Sequence, residues 1–295
     1  MSFKSGFVTI VGRPNVGKST LINALVGQKI AITSPKPQTT RNLITGIVNG
    51  DNHQLVFVDT PGMHKGKNLL GKMINNMAIE SLKGMDIIVF VVDKLRGLGE
   101  DHVISYFRDL GIPVFLVINK IDGLKGKMAI DEIILSYIND FEYSAVIPIS
   151  AKNKKHIDKL VEYLVESLEE GPQYYPIDMN SDQSDMILVS EIIREKVIHH
   201  TQEEVPHSVA VVIESMNRNE EYKTLDISAI IVVERDSQKG IVIGHNGEML
   251  KAIGSEARLD INKILDTKTH LTLFVKVKKE WRNNINDLKK FGITA

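Results

Sequence analysis

Gly12-Arg-Pro-Asn-Val-Gly-Lys-Ser19 lies between the apolar run Gly6–Val11 and the helix-forming stretch Gly17–Leu25. It has the form G-x-x-x-x-G-K-[ST], whose glycines let backbone amides curl around phosphate oxygens. The N-terminus of the following helix adds its positive dipole at the same point. In this pattern the lysine adds a fixed charge and the last hydroxyl can bind Mg²⁺. The stretch therefore predicts a phosphate-binding loop between a buried strand and a helix.

Short apolar runs and longer amphipathic stretches alternate up to about residue 170, which predicts a doubly wound α/β fold. A tight turn at Asn49–Asn52 predicts that two of the runs pair as an antiparallel hairpin, so the six-stranded sheet is mixed but mostly parallel. The predicted strands are Gly6–Val11, Leu43–Val48, Gln54–Val58, Asp86–Val92, Pro113–Ile118 and Ala145–Ile149. The predicted helices include Gly17–Leu25, Asp101–Leu110, Ala129–Asn139 and Lys155–Leu168.

The stretch Gly171–Asp185 breaks this periodicity and contains two prolines, which is typical of a linker. We therefore expect a first domain over residues 1–170, a linker over 171–185 and a smaller α+β domain over 186–295. Its predicted elements are the helix Met186–His200, the strands Ser208–Glu214 and Thr224–Glu234, a glycine-containing turn, the helix Glu248–Leu265, the strand Leu271–Lys278 and a final short helix.

The composition is that of a folded protein of 295 residues, with 43% hydrophobic and 25% charged residues and a net charge of −1. The sequence contains no run of about 18 apolar residues, so no membrane span is predicted. The N-terminus does not resemble a signal peptide. Cysteine is absent, which excludes disulfides and cysteine nucleophiles and is consistent with a reducing cytoplasm. With so little net charge, a polyanionic partner must bind to a local basic patch.

Three further polar segments follow predicted strands, where a parallel sheet binds its ligands. A carboxylate in Asp59-Thr-Pro-Gly62 can hold the Mg²⁺ shell, while a glycine amide contacts the γ-phosphate. In Asn119-Lys-Ile-Asp122 the last carboxylate can accept two hydrogen bonds that guanine supplies and adenine does not, and the asparagine can reach the other base edge. We expect that carboxylate to be buried, so that an unmatched base is strongly rejected. Ser150-Ala-Lys152 can close over the base.

The order and spacing of these segments resemble the GTPase superfamily, which implies a P-loop GTPase domain that binds and hydrolyses GTP. The residues expected to contact the nucleotide are Gly12, Arg13, Pro14, Asn15, Val16, Gly17, Lys18, Ser19, Thr20, Asp59, Gly62, Asn119, Lys120, Asp122, Ser150, Ala151 and Lys152. Among them, Lys18, Gly62 and Asn15, together with Thr40, are expected to act in catalysis.

Two residues narrow the mechanism. Met63 occupies the position at which signalling GTPases carry the glutamine that orients water, and a thioether cannot do this. In related ribosome-assembly and tRNA-modifying GTPases, an asparagine at the position of Asn15 helps to coordinate K⁺, so the resemblance implies K⁺ as a further cofactor. The alternative is that Asn15 only stabilises the loop turn. If K⁺ is not used, Arg41 is the next candidate for stabilising charge in the transition state.

Two switch segments are expected. A threonine of Pro37-Gln-Thr-Thr-Arg41 should complete the Mg²⁺ shell in the GTP state. We choose Thr40 because it aligns with the family motif, with Thr39 as the alternative. The expected Mg²⁺ ligands are therefore Ser19, Thr40 and Asp59. Met63–Met77, rich in glycine, lysine and asparagine, is the predicted second switch.

A second glycine loop, Gly244-His-Asn-Gly247, lies within a predicted α-β-β-α-α-β order. This arrangement resembles a type II KH domain, whose G-x-x-G loop contacts about four nucleotides of single-stranded RNA. Family members usually carry a lysine or arginine inside the loop, so His245-Asn246 implies a weaker contact. Ile241 and Ile243 are either groove or core residues.

Residues 236–290 contain 11 basic and 7 acidic side chains, which favours a phosphate-backbone surface over a merely solvated face. Trp281 is either a core anchor or a base-stacking platform. The residues expected to contact RNA are Ile241, Ile243, Gly244, His245, Asn246, Gly247, Lys251, Lys276, Lys278 and Arg282.

A GTPase domain followed by one KH domain resembles the Era family of bacterial ribosome-assembly GTPases over nearly the full length. Glu204-Val-Pro-His-Ser208 and Lys276-Val-Lys-Lys-Glu-Trp-Arg282 extend the match. The resemblance implies binding to the 3′ end of 16S rRNA during maturation of the 30S subunit, with GTP favouring the RNA-bound form. It also implies a monomer in the cytoplasm that associates peripherally with the inner membrane.

Two alternatives stay open. A tRNA-modification GTPase shares the loop asparagine and lacks the glutamine, but it carries an N-terminal domain and a terminal cysteine that this chain does not show. A KH RNA-binding module with little GTPase activity is disfavoured by intact Lys18, Ser19, Asp59, Asn119 and Asp122.

Overall fold

The computed structural model describes residues 2–36, 39–63, 68–139 and 141–293. Six strands form the first sheet, in the order β2-β3-β1-β4-β5-β6. All neighbouring pairs are parallel except the hairpin of β2 and β3, so the predicted mixed, mostly parallel sheet is confirmed. The strands are β1 (Lys4–Val11), β2 (Ile44–Gly50), β3 (His53–Asp59), β4 (Ile87–Val92), β5 (Val114–Ile118) and β6 (Ala145–Pro148).

Five helices cover the two faces of this sheet, which is why every residue of β4 and β5 is buried. They are α1 (Lys18–Val26), α2 (Leu69–Glu80), α3 (Leu98–Phe107), α4 (Lys127–Ile138) and α5 (Ile157–Ser167). Helix α2 was not predicted from the sequence, because Met63–Met77 was interpreted as a switch. Its signal was present, since Asn68 caps the helix by accepting a hydrogen bond from the Gly71 amide.

The second domain has a three-stranded sheet in the order β7-β8-β9, packed against α6, α8 and α9. Strands β7 and β8 are antiparallel, whereas β8 and β9 are parallel. Its elements are α6 (Asp185–His200), α7 (Val205–Ser208), β7 (Ala210–Asn219), β8 (Thr224–Val233), α8 (Asp236–Ile243), α9 (Glu248–Ile264), β9 (Lys268–Val277) and α10 (Ile285–Lys290). Helix α8 begins where the sequence predicted only a turn after the second strand, and it completes the α-β-β-α-α-β order.

The segment between the domains lies along the open edge of the first sheet. The Gln54 side-chain oxygen accepts hydrogen bonds from the amides of Tyr174 and Tyr175, at 2.8 and 2.9 Å. Further along, the Ile47 amide donates to the Asn180 carbonyl at 2.9 Å, and the Ser181 hydroxyl donates to the carbonyl of Thr45 in β2. The predicted linker is therefore a strap fastened to the first domain.

The two domains also share an apolar interface. Helix α2 contributes Leu70, Met73, Ile74 and Met77, which pack with Trp281 and other residues of the second domain. Trp281 is fully buried and its indole nitrogen donates to the Ser208 carbonyl at 3.0 Å, so it is a core anchor and not a stacking platform. Among the described residues, no helix is both long and apolar enough to cross a bilayer.

Candidate functional site

The loop between β1 and α1 requires glycine at its two motif positions. Gly12 and Gly17 have φ values of 153° and 97°, which side chains rarely adopt. A Cβ on Gly17 would lie 2.3 Å from the Asn119 side-chain nitrogen, and one on Gly12 would lie 2.4 Å from the Val91 carbonyl oxygen. The loop is thus pressed between neighbouring strand ends, and its backbone shape is set by packing.

Lys18 is buried at the first turn of α1. Its ammonium donates to the carbonyls of Gly12 and Arg13, at 3.1 and 3.0 Å. Burial lowers the pKa of Lys18 to about 8, although the charge of Asp59 opposes the shift. The loop therefore holds a desolvated cation among its own carbonyls, ready to exchange those partners for phosphate oxygens.

Three oxygen side chains meet beside this lysine, as the sequence predicted for the metal site. The Ser19 hydroxyl lies 2.8 Å from the Thr40 hydroxyl and donates to Asp59 Oδ2 at 2.9 Å. The Thr39 hydroxyl instead donates to the Lys36 carbonyl. The structure thus brings Thr40, and not Thr39, to the cluster.

The second oxygen of Asp59, Oδ1, is buried without a hydrogen-bond partner among the described residues. Burial raises the pKa of Asp59 to about 6, against the opposing effects of Lys18 and Ser19. A buried, unpaired carboxylate oxygen beside two hydroxyls is a suitable ligand set for a hard divalent cation such as Mg²⁺. The residues present therefore fit the metal that the motif requires.

The loop residue Asn15 is exposed, with φ of 68°. Its side-chain amide donates to the Pro35 carbonyl at 2.7 Å, which connects the phosphate loop to the first switch. Met63 is 2% exposed and packs in the core beside α2 and α3, so its side chain does not face the pocket. Of the predicted switches, Pro37, Gln38 and His64–Lys67 lie outside the described residues.

Asn119, which follows β5, has a bracing role that was not predicted from the sequence. Its amide nitrogen donates to the Val16 carbonyl, while its oxygen accepts from the amides of Lys120 and Ala151. It therefore joins three loops to one another, whereas we expected it to reach the base.

Asp122 is exposed, which corrects the expectation of a buried carboxylate. It accepts a hydrogen bond from the Ser150 hydroxyl at 2.5 Å, and this bond is the main cause that lowers its pKa. The carboxylate is thus oriented by Ser150 and held in its charged form.

A cavity of about 500 Å³ lies beside Lys18, Ser19 and Thr40, and Asp59, Asn119 and Asp122 are not among its lining residues. It is lined from the phosphate loop by residues between Pro14 and Thr20, from the base loops by Lys120 and Lys152, and by Gly62. The remaining wall consists of Thr40 and the segment before it, of which only Thr39 and Thr40 were singled out from the sequence. That wall is formed by Ile32, Thr33, Ser34, Pro35, Thr39 and Thr40.

Arg41 follows Thr40 in sequence but is inserted into the second domain. Its guanidinium is 3% exposed and donates to the Val209 carbonyl at 2.6 Å. It also lies over the ring of Trp281, 5.7 Å from the ring centroid. The suggestion that Arg41 stabilises charge on the nucleotide is therefore wrong for this structure, because its charged group is fixed in the other domain.

The second glycine loop is open where the first is braced. His245 and Asn246 are exposed, and Asn246 has φ of 47°. Gly244 and Gly247 have φ values of 73° and 80° on either side of them. A Cβ on Gly244 would meet the Met249 side chain at 2.6 Å, whereas one on Gly247 would meet no described residue within 4 Å. The loop leads into α9 and presents its backbone to solvent.

A groove of about 580 Å³ runs from this loop between α9 and β9. Gly247 and Lys251 line it as predicted, and Arg258 and His270 are charged or titratable residues there that the sequence analysis did not single out. Arg258 lies two turns after Lys251 on α9, a spacing that could have indicated a shared helix face, whereas His270 lies on β9 and had no such signal. Ile241 is half exposed, while Ile243 packs against the domain core.

The other residues predicted to contact RNA differ in exposure and in how tightly their charges are paired within the protein. Lys276 and Lys278 are more than half exposed and make loose ion pairs of 3.5 Å with Glu214 and Asp287. Arg282 is 23% exposed and is paired with Glu234 at 2.5 Å. The two lysines can reach a polyanion, but Arg282 is engaged within the domain.

Comparison with known proteins agrees with this geometry. A family model described as "50S ribosome-binding GTPase" matches residues 7–120, and a "KH domain" model matches residues 204–282. The chain is 49% identical over 292 residues to GTPase Era of Clostridioides difficile (strain 630), which covers 98% of both proteins.

Two crystal structures are similar over the whole chain, each with a TM-score of 0.94 and 38% identity. One is a point variant of Aquifex aeolicus Era bound to GDP and AlF4⁻. The other is Era in complex with MgGDPNP and nucleotides 1506–1542 of 16S ribosomal RNA. Each alignment covers 99% of this chain and 100% of the other.

Proposed function

The chain belongs to the Era family of GTPases, and on that premise we propose that it is a GTP-driven switch that binds 16S rRNA near its 3′ end and assists maturation of the 30S subunit. The observation that carries the proposal is the wall of the nucleotide cavity. Its residues Thr33 and Thr39 are bonded through their backbones to α6 of the KH domain. A change at the phosphates therefore has a direct physical route to the RNA-binding domain.

We propose that Ser19, Thr40 and Asp59 hold Mg²⁺, with Asp59 Oδ1 supplying the charge that lacks a partner among the described residues. When bound, the metal neutralises charge that develops on the β- and γ-phosphate oxygens. Lys18 supplies the second fixed cation to the same oxygens, and the backbone N–H groups of residues 12–20 other than Pro14 supply neutral donors. Gly62 lies against Pro14, where its amide can follow the γ-phosphate.

Base choice is assigned to Asp122. Ser150 orients its carboxylate, Asn119 fixes the loop that carries it, and Lys120 and Lys152 flank the pocket. Lys120 is itself anchored, since its ammonium donates to the Asn15 carbonyl and to Asp93. This arrangement matches the donor pattern of guanine and leaves adenine without a partner for the carboxylate.

On the RNA side, we propose that Gly244–Gly247 contacts the sugar–phosphate backbone and that the groove beside Lys251 takes the bases. Lys276 and Lys278 extend the basic surface along β9. The relative crystallised with 16S rRNA contains the same fold over its whole length.

K⁺ is proposed as a further cofactor. Asn15 lies beside the Pro35 carbonyl, so a loop side chain and a first-switch carbonyl are already neighbours at the phosphate end of the cavity. GTP hydrolysis should be faster in KCl than in matched NaCl, and Asn15→Ala should erase the difference. Equal steady-state rates in the two salts, with and without RNA, would leave Asn15 as a turn residue.

The expectations for location, oligomeric state and domain limits remain proposals. They are a cytoplasmic location with peripheral contact at the inner membrane, a monomeric state, and domain limits at residues 1–170, 171–185 and 186–295. Lipid flotation and sedimentation of the purified full chain would test the first two. Limited proteolysis would test the limits.

The test of the whole proposal is crosslinking of the full chain to total RNA, with GTP or GDP present, followed by sequencing of the bound fragments. Enrichment of the 3′ end of 16S rRNA in the GTP sample is expected. Recovery of tRNA would instead support the tRNA-modification alternative. RNA binding without measurable GTP hydrolysis would support a plain KH module.

A further inference from the structure

Thr40 and Arg41 are consecutive residues whose side chains enter different domains. The Thr40 hydroxyl lies 2.8 Å from that of Ser19 in the nucleotide site. The Arg41 guanidinium is buried among KH-domain carbonyls, with Nη1 donating to Val209 at 2.6 Å and Nη2 lying 3.4 Å from the carbonyls of Pro206 and His207. One residue therefore belongs to the metal site and the next belongs to the RNA-binding domain.

The rest of the first switch is fixed to the same domain. The Lys36 ammonium donates to carbonyls at the C-terminal end of α6, those of Ile198 and Thr201. Glu195, 2% exposed, accepts from the Thr33 amide at 2.9 Å and from Lys29 at 2.5 Å. Arg194 donates to the Thr39 carbonyl. Helix α6 thus supports the backbone on the N-terminal side of Thr40, and Arg41 supports it on the C-terminal side.

We propose that Arg41 is a positioning residue for the GTPase reaction. Its seat in the KH domain, formed by the carbonyls of residues 206, 207 and 209 and the ring of Trp281, holds Thr40 at the metal site. The proposal rests on the proposed function and adds a specific dependence. The GTP-bound form needs Thr40 in place, whereas the GDP-bound form lacks the γ-phosphate that Thr40 would help to recognise. Loss of the seat therefore weakens GTP binding more than GDP binding.

The same contact works in both directions, because coupling between two binding events is reciprocal. GTP that fixes Thr40 also fixes the guanidinium in its seat and so favours the docked KH domain. Lysine cannot replace arginine here. The seat uses a planar group that reaches several carbonyls and lies over Trp281, and an ammonium offers neither the fork nor the flat face.

The test compares Arg41→Met and Arg41→Lys with the wild type in the full chain. The ratio of affinities for a non-hydrolysable GTP analogue and GDP is measured by nucleotide titration. Coupling energies of the usual size predict a fall of about 5- to 150-fold in this ratio, with GDP affinity retained. Arg218→Met removes an exposed guanidinium from the KH domain and serves as the matched control, with no change expected.

Hydrogen exchange distinguishes a loss of Thr40 positioning from a general destabilisation of the fold. The amides of Ile32, Thr33, Ser34 and Lys36 should exchange faster in both variants when the GTP analogue is bound, while those of β4 stay protected. An unchanged GTP-to-GDP ratio in Arg41→Met would overturn the proposal, as would an equal loss of both affinities in Arg41→Lys. Failure of the wild type to crosslink 16S rRNA would contradict the proposed RNA target but leave the nucleotide ratio as an independent result.

Discussion

Both glycine loops of this protein lead into a helix N-terminus, but their surroundings differ. The loop at Gly12–Ser19 is packed against strand ends, contains a buried lysine and adjoins a buried carboxylate. The loop at Gly244–Gly247 contains no lysine or arginine, and its two central side chains are exposed. A site that performs chemistry needs charges fixed in place before its ligand arrives, at a cost in desolvation. A loop that releases its RNA can present backbone groups that remain hydrated when free.

This difference predicts that substitutions at the nucleotide site change affinity or rate by larger factors than substitutions at the RNA loop. The largest effect is expected for Asp122→Asn, which exchanges acceptors for donors at the base edge. The ratio of GTP to xanthosine triphosphate affinity should change by about 10⁴-fold, because a bound base covers the exposed carboxylate and an unmatched base would leave it unpaired and away from water. Competition titration measures it, with the exposed Asp131→Asn as control. Unchanged GTP affinity would show that Asp122 does not read the base.

Lys18→Ala should come next. Removal of the buried ammonium deprives the transferred phosphoryl group of one fixed charge, so kcat should fall by about 100- to 1000-fold, and GTP binding should weaken. Single-turnover phosphate release gives the rate, and the exposed Lys159→Ala provides a matched loss of charge. Wild-type turnover in Lys18→Ala would mean that the loop is not the phosphate site.

The RNA loop should respond to negative charge. Gly244→Asp adds a carboxylate facing phosphate and a Cβ that meets Met249, and like-charge contacts of several kcal/mol imply a loss of at least about 100-fold in RNA affinity. Asn246→Asp adds the charge at an exposed position without that clash, so it tests charge alone. Anisotropy with a 16S 3′-end oligonucleotide reports binding, and Asn286→Asp is the control.

GTP hydrolysis without RNA should stay intact in both loop variants. Tight RNA binding that remains in these variants would indicate that Lys276 and Lys278 make the main RNA contact.

The buried carboxylate of the nucleotide site should leave a signature in pH dependence. The pKa of Asp59 is about 6 in the folded protein and is raised from its ordinary value, so between about pH 6 and 4 only the folded state holds the proton. Acidification over this window should therefore raise the free energy of unfolding of the nucleotide-free wild type relative to Asp59→Asn. The slope should approach about 1.4 kcal/mol per pH unit.

Urea denaturation at several pH values measures that difference. If the difference in the free energy of unfolding between wild type and Asp59→Asn did not change with pH, the pKa of this carboxyl would not be raised. Burial at the nucleotide site would then have no measurable energetic cost to contrast with the exposed RNA loop.

The smallest effect is expected for His245→Lys, which restores the cation usual in this family. RNA affinity should rise several-fold at low salt, and the slope of log affinity against log salt should steepen by about 0.7 for one added phosphate contact. Gln202→Lys, at an exposed position outside the loop and groove, is the matched control. An equal gain in the control would assign the effect to net charge and not to the loop.

The sequence predicted those parts of the molecule that depend on short motifs. The strand–loop–helix context of Gly12–Ser19 and the placement of Asp59, Asn119 and Ser150 at strand ends are local or follow from sheet topology. Thr40, selected from the family motif, lies beside Ser19 in the oxygen cluster, and its role as a Mg²⁺ ligand stays a prediction. Helix α2 was missed although its spacing of Leu70, Met73 and Met77 is helical, because a switch was expected there.

Contacts between distant segments could not be predicted in this way. No pattern near Arg41 indicates that its guanidinium enters a pocket formed by residues 206–209 and Trp281. Asn119 was expected to face the base because its motif suggested this, but its donor and acceptor serve three loops that only the fold brings together. The exposure of Asp122 likewise depends on how the loop after β5 leaves the sheet.

The strap along β2 sets how far the KH domain can travel when it leaves its seat. Ser181 is fastened to Thr45, and α6 begins at Asp185. Extended chain covers about 3.5 Å per residue, so the start of α6 stays within about 14 Å of that anchor even when the helix is free. Such a short tether gives the released domain an effective concentration of at least millimolar order at its own docking surface. A KH domain released from this surface would therefore swing about residues 182–184, and the buried contacts of Arg41 would favour its return.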